Sequence, residues 1–170
     1  DLYNAIVINS LSKYFSMTGW RIGWMILPEQ LITPAEKLAQ NLYISAPTPN
    51  QIAAVKAFDC SDELDAHVER YKENRQILLS GLPAELLGQA APCDGAFYIY
   101  ADISKLSNDS ISFAKELLDQ TGVASTPGVD FDPLDGHRYL RLSFAGSTKT
   151  MHEAVKRINQ FVVNYKKDAA

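Results

Sequence analysis

The strongest constraint on the fold is a long helical pattern in the middle of the chain. The stretch DELDAHVERYKENRQILLSGL covers residues 62–82. Ser61 and Asp62 offer an N-cap, and Gly81 and Pro83 end the pattern. A length of 170 residues favours one compact domain. Within such a domain, a helix this long is expected to connect two parts of the fold.

Two short apolar runs precede this helix and predict strands. AIVIN at residues 5–9 is β-branched, WRIGWMIL at residues 20–27 is similar, and both are expected to be buried. A serine-rich loop joins them, so Lys13 lies at the carboxyl end of a strand, where ligands collect in open α/β sheets. Helices are expected over residues 29–44, with an interruption or a new start at Pro34, and from Gln51 to Phe58.

The residues after Gly88 predict a small α+β layer. Their order is strand, helix, strand, strand, helix, which places the helices on one sheet. The apolar residues of the last segment recur at helical spacing and form one face. The segments are GAFYIYADI, DSISFAKELLDQ, GVAST, HRYLRLSF and STKTMHEAVKRINQFVVNYKK.

Charge and composition argue against several classes of partner. The formal net charge is -4 and the basic residues are dispersed, so neither nucleic acid nor a membrane surface is expected. The chain has no apolar run of the roughly 18 residues that a membrane helix needs and no signal-peptide layout, so a cytoplasmic location is predicted. Cys60 and Cys93 lack metal-ligand spacing and no metal is expected. The chain opens at Asp1 without methionine, which suggests a fragment.

The stretch SLSKYFSMTGWRIGW, residues 10–24, combines a lysine with an anion site. Apolar neighbours and a nearby Arg21 would both favour the neutral amine of Lys13, which is the form that attacks a carbonyl group. Ser10, Ser12 and Arg21 supply hydroxyl donors and a guanidinium fork, which suit a phosphate dianion. The stretch therefore predicts a reactive lysine beside a phosphate site.

The same letters allow a second interpretation. Ser10 and Lys13 satisfy S-x-x-K, the nucleophile signature of serine acyl-transfer enzymes such as penicillin-binding proteins. That chemistry also needs S-D-N and K-T-G elements, but SND at 107–109 is scrambled and KTM at 149–151 lacks the glycine. It also expects the serine at the start of a helix, whereas this serine follows a strand. We therefore favour the phosphate site.

The stretch closely resembles the S-x-S-K-x-x-x-x-x-G-x-R-x-G signature of class I/II aminotransferases, the fold type I enzymes that use pyridoxal phosphate. SAPTPNQIAAVKAF, the long helix, PCDGAFYIYADIS, GVASTPGVDF and YLRLSFAGS follow in that family's order. The resemblance covers effectively the whole chain as the C-terminal portion of such an enzyme. It implies an α/β fold in which residues 1–61 end the large cofactor-binding domain and residues 62–170 form an α+β small domain, with a small antiparallel or mixed sheet.

The resemblance also implies roles for individual residues. Lys13 matches the lysine that forms the Schiff base with the cofactor aldehyde and moves the substrate proton, and Ser10, Ser12 and Arg21 match ligands of the cofactor phosphate. Arg141 matches the arginine that grips the substrate α-carboxylate; otherwise it would be a sheet arginine in a surface ion pair, for which Arg138 is the better candidate. Further implied residues are Phe97, Pro127 and Gly128 in the substrate pocket wall and Tyr43 and Ser45 facing a neighbouring subunit.

The activity implied is transfer of an amino group from an amino acid to a 2-oxo acid by a homodimer. A lyase or decarboxylase of the same fold and a ligand-sensing domain of a transcription regulator are alternatives, since both use the same lysine. The family's other cofactor-binding elements lie upstream of the matched portion, so the fragment alone is expected to be inactive. The substrate side chain stays open.

Overall fold

The structure is a computed structural model that describes residues 5–87, 90 and 92–168, with side chains up to residue 165. The chain divides into two compact units, Asp1–Val68 (unit 1) and Glu69–Ala170 (unit 2). A helix over Ser61–Gly81 runs through the division without a break. The long helix predicted from residue 62 is therefore confirmed, while the assignment of residues 1–61 and 62–170 to two enzyme domains stays a prediction.

Unit 1 is built on a two-stranded hairpin. Strands β1 (Val7–Ser10) and β2 (Gly23–Ile26) pair antiparallel, with Val7 opposite Ile26 and Ser10 opposite Gly23. One turn of 3₁₀ helix, Thr18–Trp20, lies in the connection between them. Helices α1 (Glu29–Leu42) and α2 (Thr48–Ala57) follow, and the first turns of the long helix, α3, complete the unit.

Two expectations for unit 1 were wrong. Both strands were expected to be buried, but Ile8 is 79% exposed and Met25 is 51% exposed. A two-stranded hairpin has two faces to cover, and the buried cluster of this unit is small, comprising Leu11, Met17 and Ala54. Helix α1 also continues through Pro34 without interruption.

Unit 2 contains a three-stranded antiparallel sheet in the order β3-β5-β4. The predicted sequence of strands and helices is confirmed, although GVAST contributes only Thr126 to a strand. A short helix before the sheet was not predicted. The elements are α4 (Ala84–Leu87), β3 (Tyr98–Asp102), α5 (Ser110–Thr121), β4 (Thr126–Pro127), β5 (Tyr139–Ser143) and α6 (Thr148–Asp168).

The core of unit 2 lies on one face of this sheet. Alternate strand residues point into it because side chains of a strand alternate between its two faces; Ile99, Leu140 and Leu142 are all at most 6% exposed. Helices α5 and α6 cover that face with Phe113 and Phe161, whose rings meet edge to face at 5.3 Å. The opposite face of the sheet is free to carry polar and aromatic side chains.

Helix α5 is capped at both ends. The Asp109 carboxylate caps the helix by accepting hydrogen bonds from the backbone N–H groups of Ile111 and Ser112, both at 3.1 Å. Gly122 ends it in the left-handed conformation, with φ of 70°. None of the helices in the described ranges is both long enough and apolar enough to cross a membrane.

Candidate functional site

Two groups of predicted site residues lie in the two units, and the first occupies the connection between β1 and β2. We call residues 11–22 the lysine loop. Leu11 is 1% exposed and anchors the loop in the small cluster of unit 1. Its N–H donates to the Ile22 carbonyl and its carbonyl accepts from the Met17 N–H, both at 3.1 Å. Lys13 is therefore carried by a closed, internally bonded loop.

The structure brings Ser10, Ser12, Lys13 and Arg21 onto this loop and the strand end before it. Ser10 is the last residue of β1, and its hydroxyl oxygen accepts a hydrogen bond from the Ser12 N–H at 3.1 Å. Lys13 and Arg21 are exposed in the described chain. Because Ser10 ends a strand and does not start a helix, the acyl-transfer interpretation of S-x-x-K loses its structural basis.

Arg21 has an unusual backbone. Its φ of 52° lies in the left-handed region, which is uncommon for a residue with a side chain. The residue ends the 3₁₀ turn, and its Nη1 donates to the Thr18 carbonyl at 2.9 Å. This contact folds the guanidinium back along the loop that also carries Lys13.

Helix α3 holds the lysine loop through two contacts that sequence reasoning missed. The Tyr14 hydroxyl donates to the Asp65 carboxylate at 2.7 Å, and Ser16 Oγ lies 3.5 Å from His67 Nδ1. The hydrogen bond to Asp65, together with desolvation, raises the pKa of Tyr14. Since the partners are 51 residues apart, no local pattern could have paired them.

The second group surrounds Arg141 on the face of the sheet opposite the core. Arg141 is half-buried on the central strand β5, directly opposite Tyr100 of β3 and Thr126 of β4. Its guanidinium lies 4.3 Å from the centre of the Tyr98 ring and 4.3 Å from that of the Phe131 ring. Its Nη2 donates to Thr126 Oγ1 at 3.3 Å. We call Tyr98, Phe131 and Thr126 the arginine clamp.

Arg141 has no internal counter-ion among the described side chains, because none of their carboxylates forms an ion pair with it. Arg138, in contrast, pairs with the nearly buried Asp102 at 3.4 Å. Burial alone would raise the pKa of Asp102, but hydrogen bonds from Ser104 and the charge of Arg138 outweigh it and lower the pKa. Arg138 therefore forms the expected ion pair, but with a nearly buried carboxylate and not at the surface.

The segment after β4 is fixed by a close contact of two glycines. A Cβ on Gly128 would lie 2.5 Å from the Gly136 carbonyl oxygen, so neither backbone leaves space for a side chain there. The Phe131 N–H donates to the Gly128 carbonyl at 2.9 Å. Pro127 ends β4 next to this contact. The segment therefore delivers Phe131 to the arginine clamp from a rigid base.

The other expected residues lie apart from these two groups. Phe97 packs its ring against Tyr71 and Tyr98, with ring centres 6.1 and 4.4 Å apart. Tyr43 and Ser45 follow α1 and are exposed. A cavity of about 550 Å³ in unit 2, lined in part by Leu142, Lys149 and Arg157, contains none of the predicted site residues.

The chemistry of the lysine loop, together with Ser10 at the strand end before it, fits pyridoxal phosphate. A primary amine can hold an aldehyde, and two serine hydroxyls with one guanidinium are suitable donors for a phosphate dianion. Among the described residues, no three histidine, cysteine, aspartate or glutamate side chains form a cluster that could hold a metal ion.

Comparison with known proteins gives one consistent result. The family model described as "Aminotransferase class I and II" matches residues 1–158. The valine–pyruvate aminotransferase of Mycobacterium tuberculosis is 45% identical over 161 residues, which is 94% of this chain and 42% of that protein. An aspartate aminotransferase of Sulfolobus acidocaldarius is 34% identical over 163 residues, 93% of this chain and 40% of that protein.

Solved structures agree with these relatives. The crystal structure of an aminotransferase from Mycobacterium tuberculosis superposes with a TM-score of 0.91 at 44% identity and covers 95% of this chain and 42% of that one. A Thermus thermophilus aspartate aminotransferase variant gives a TM-score of 0.80 at 32% identity, covering 91% of this chain and 42% of that one. The chain thus spans well under half the length of these proteins.

Proposed function

Because this chain belongs to the class I and II aminotransferase family, of fold type I, we propose that it forms the C-terminal part of a pyridoxal-phosphate-dependent aminotransferase. The full-length enzyme would move an amino group from an amino acid to a 2-oxo acid. The observation that carries the proposal is Arg141, a half-buried guanidinium that contacts two aromatic rings and has no carboxylate partner among the described side chains. Such a group suits a carboxylate that arrives with the substrate.

We assign the cofactor to the lysine loop. When bound, pyridoxal phosphate supplies the electron sink that makes the α-carbon of an amino acid acidic. Ser10, Ser12 and Arg21 would hold the phosphate by their hydroxyl and guanidinium donors. The Lys13 amine would hold the aldehyde and, once the incoming substrate amine has released it, would move the proton from the substrate α-carbon to the carbon that carried the aldehyde. The hydrogen-bonded loop and its contacts with α3 support this assignment, because both restrict where Lys13 can lie.

Arg141 would orient the substrate. A guanidinium forms two parallel hydrogen bonds with a carboxylate, which fixes the plane of the carboxylate as well as its distance. Lysine, as a point charge with a flexible stem, would hold the same group with less orientation. The role of Arg141 in the proposed reaction is therefore binding and orientation, and it takes no part in proton transfer.

The exposed apolar surface of unit 1 supports a larger protein and a homodimer. Ile8, Leu42 and Ile44 are each between 76% and 80% exposed, which is unusual for large apolar side chains in a folded protein. Ile44 also has φ of 68°, a strained conformation for a β-branched residue. We propose that further chain covers the strands and that a second subunit contacts the region of Tyr43 and Ser45. A cytoplasmic location stays a prediction.

The cofactor assignment is tested by trapping the cofactor on the full-length protein. We expect borohydride reduction in the presence of pyridoxal phosphate to attach the cofactor to Lys13, as located by peptide mass mapping. Lys13→Ala should lose the label, whereas Lys56→Ala, which removes an exposed lysine of α2 in the same unit, should keep it. Equal labelling of wild type and Lys13→Ala would contradict the assignment.

The reaction type is tested separately by product analysis. Incubation with single amino acids and 2-oxo acids should yield a new amino acid in an amount equal to the donor consumed. Release of ammonia or carbon dioxide without a new amino acid would favour the lyase or decarboxylase alternative. Cofactor binding with no turnover of any donor would favour a sensing domain.

A further inference from the structure

Two separate segments of the chain supply the rings that contact the Arg141 guanidinium. Tyr98 comes from β3, where it pairs with Ser143 and therefore lies diagonal to Arg141, within reach of an aromatic side chain. Phe131 comes from the segment that follows β4. The close contact between Gly128 and Gly136 fixes the start of that segment. The central carbon of the guanidinium lies 4.3 Å from the centre of each ring.

This arrangement restricts Arg141 in a specific way. Both rings attract the cation through their π-faces, and guanidinium groups stack well on aromatic rings. Two ring contacts and the hydrogen bond that Thr126 accepts therefore hold the guanidinium at three points. A carboxylate that forms a bidentate pair must approach at an edge of the guanidinium plane, so rings that hold this plane fixed also fix the direction of approach.

The rings also change the surroundings of the charge. Water cannot hydrate the parts of the guanidinium that the two rings cover, so the group loses less hydration when a carboxylate binds. Arginine already suits such sites because its guanidinium is more weakly hydrated than an ammonium group. The fixed orientation of the guanidinium and its reduced hydration both favour binding of a ligand only if that ligand carries a carboxylate.

We propose that Tyr98 and Phe131 are positioning residues that make the protein selective for donors with a carboxylate over the corresponding amines. This inference rests on the proposed function of Arg141. Each ring acts through the guanidinium and does not itself carry out any step of the reaction. Thr126 supports the same position through the hydrogen bond that it accepts from Nη2 of Arg141.

The test compares variants that remove a ring with variants that keep it, in the full-length enzyme. Tyr98→Leu and Phe131→Leu remove one face of the clamp, while Tyr98→Phe and Phe131→Tyr retain it. Leu134→Ala is a matched control, because Leu134 is 83% exposed and follows Phe131 in the same segment. Phe131 is 50% exposed, so leucine is expected to be tolerated there.

We expect each leucine variant to raise KM for an amino acid by about three- to tenfold, the range that a cation–π contact corresponds to, with little change in kcat. The ring-retaining variants and Leu134→Ala should stay within about twofold of wild type. For the amine that lacks the carboxylate, all variants should equal wild type. A variant that lowers turnover of the amino acid and the amine by the same factor would overturn the proposal, because it would indicate a structural role.

A second measurement needs no enzymatic activity. In the full-length protein labelled with ¹⁵N, the Arg141 Nε–H resonance should be displaced by the ring currents of both aromatic rings and should move toward a free arginine position in Phe131→Leu. Acetate should shift that resonance in wild type more than in the variant. An Nε–H signal identical in both proteins would show that the clamp does not form. If the Arg141 Nε–H resonance is displaced by the rings but no cofactor is trapped on Lys13, the proposed function is wrong, whereas the contact between Arg141 and the two rings is confirmed.

Discussion

Replacing Gly128 by alanine tests whether the contact of two glycines holds unit 2 together. A Cβ at this position would lie 2.5 Å from the Gly136 carbonyl oxygen, 2.7 Å from the Tyr100 hydroxyl and 2.8 Å from Tyr139 Cβ. Ordinary contacts of a Cβ begin at 3.4 Å, so the shortest one falls short by 0.9 Å (3.4 minus 2.5). A carbonyl oxygen and a Cβ cannot rotate away, so the backbone itself must move.

The expected cost follows from this geometry. Overpacking of a well-packed site typically costs about 1–3 kcal/mol, and the involvement of backbone on both sides places Gly128→Ala near about 3 kcal/mol. For a folding unit of roughly 100 residues, each kcal/mol lowers the melting temperature by about 4–8 °C, so we expect a fall of roughly 12–24 °C. The movement of the Gly136 backbone would also disturb the hydrogen bond from Ser110 Oγ to the Gly136 carbonyl, which is 2.9 Å long.

The assay can separate the two units. Both tryptophans, Trp20 and Trp24, lie in unit 1, so their fluorescence reports on that unit. Tyr100 and Tyr139 stack in unit 2 with ring centres 4.7 Å apart, and five of the eight tyrosines belong to that unit, so tyrosine near-ultraviolet circular dichroism reports mainly on unit 2. The melting transition of the tyrosine signal should fall and that of the tryptophan signal should not.

Gly95→Ala is the matched control. A Cβ at Gly95 would meet nothing within 4 Å, and an alanine in open space is neutral or slightly stabilising. If Gly128→Ala melts at the same temperature as Gly95→Ala, the close contact does not constrain the fold and our account of how Phe131 is positioned is wrong.

Three further predictions follow from single side chains. Arg141→Lys should raise KM for amino acids about tenfold or more through loss of the bidentate pair while leaving cofactor trapping on Lys13 unchanged; an unaltered KM would refute its carboxylate role. Asn74→Ala should destabilise unit 2 by about 2–4 kcal/mol in urea unfolding, because the buried amide donates to two backbone carbonyls at 2.9 and 3.0 Å; Asn164→Ala, an exposed change, should have no such effect. The lowered pKa of Asp102 means that its carboxylate contributes stability above the pKa of the unfolded chain and loses it as the pH falls through the folded value. The melting temperature of unit 2 should therefore fall more steeply with decreasing pH in wild type than in Asp102→Asn. Parallel curves of melting temperature against pH would contradict this.

The sequence predicts the helices well because their signals are local. Asp109 and Gly122 mark the two ends of α5, and apolar spacing marks α6. Burial of β1 and β2 was not predictable in the same way. An apolar strand can be covered only by other elements, and in the described chain Ile8 and Met25 stay exposed. Pro34 is tolerated inside α1, which a propensity argument does not anticipate.

In the candidate site, too, residues that are close in sequence can be predicted and contacts between distant residues cannot. Ser10, Ser12, Lys13 and Arg21 lie within a short stretch of sequence, so one motif identifies them together. The clamp could not be found in this way, because Tyr98 and Arg141 are far apart in the chain and meet only through the pairing of β3 with β5. Strand alternation places each on a face, but it does not say which strands are neighbours.

The continuity of α3 has a practical consequence for dissecting the molecule. A cut at the division between Val68 and Glu69 would remove the start of the helix, where Asp62 and Glu63 are favourably placed for its dipole. The part left behind still supplies Asn74 and Leu78 to the interior of unit 2. An excised unit 2 should therefore begin at Ser61, and a shorter version should fray from its new amino terminus towards its own core.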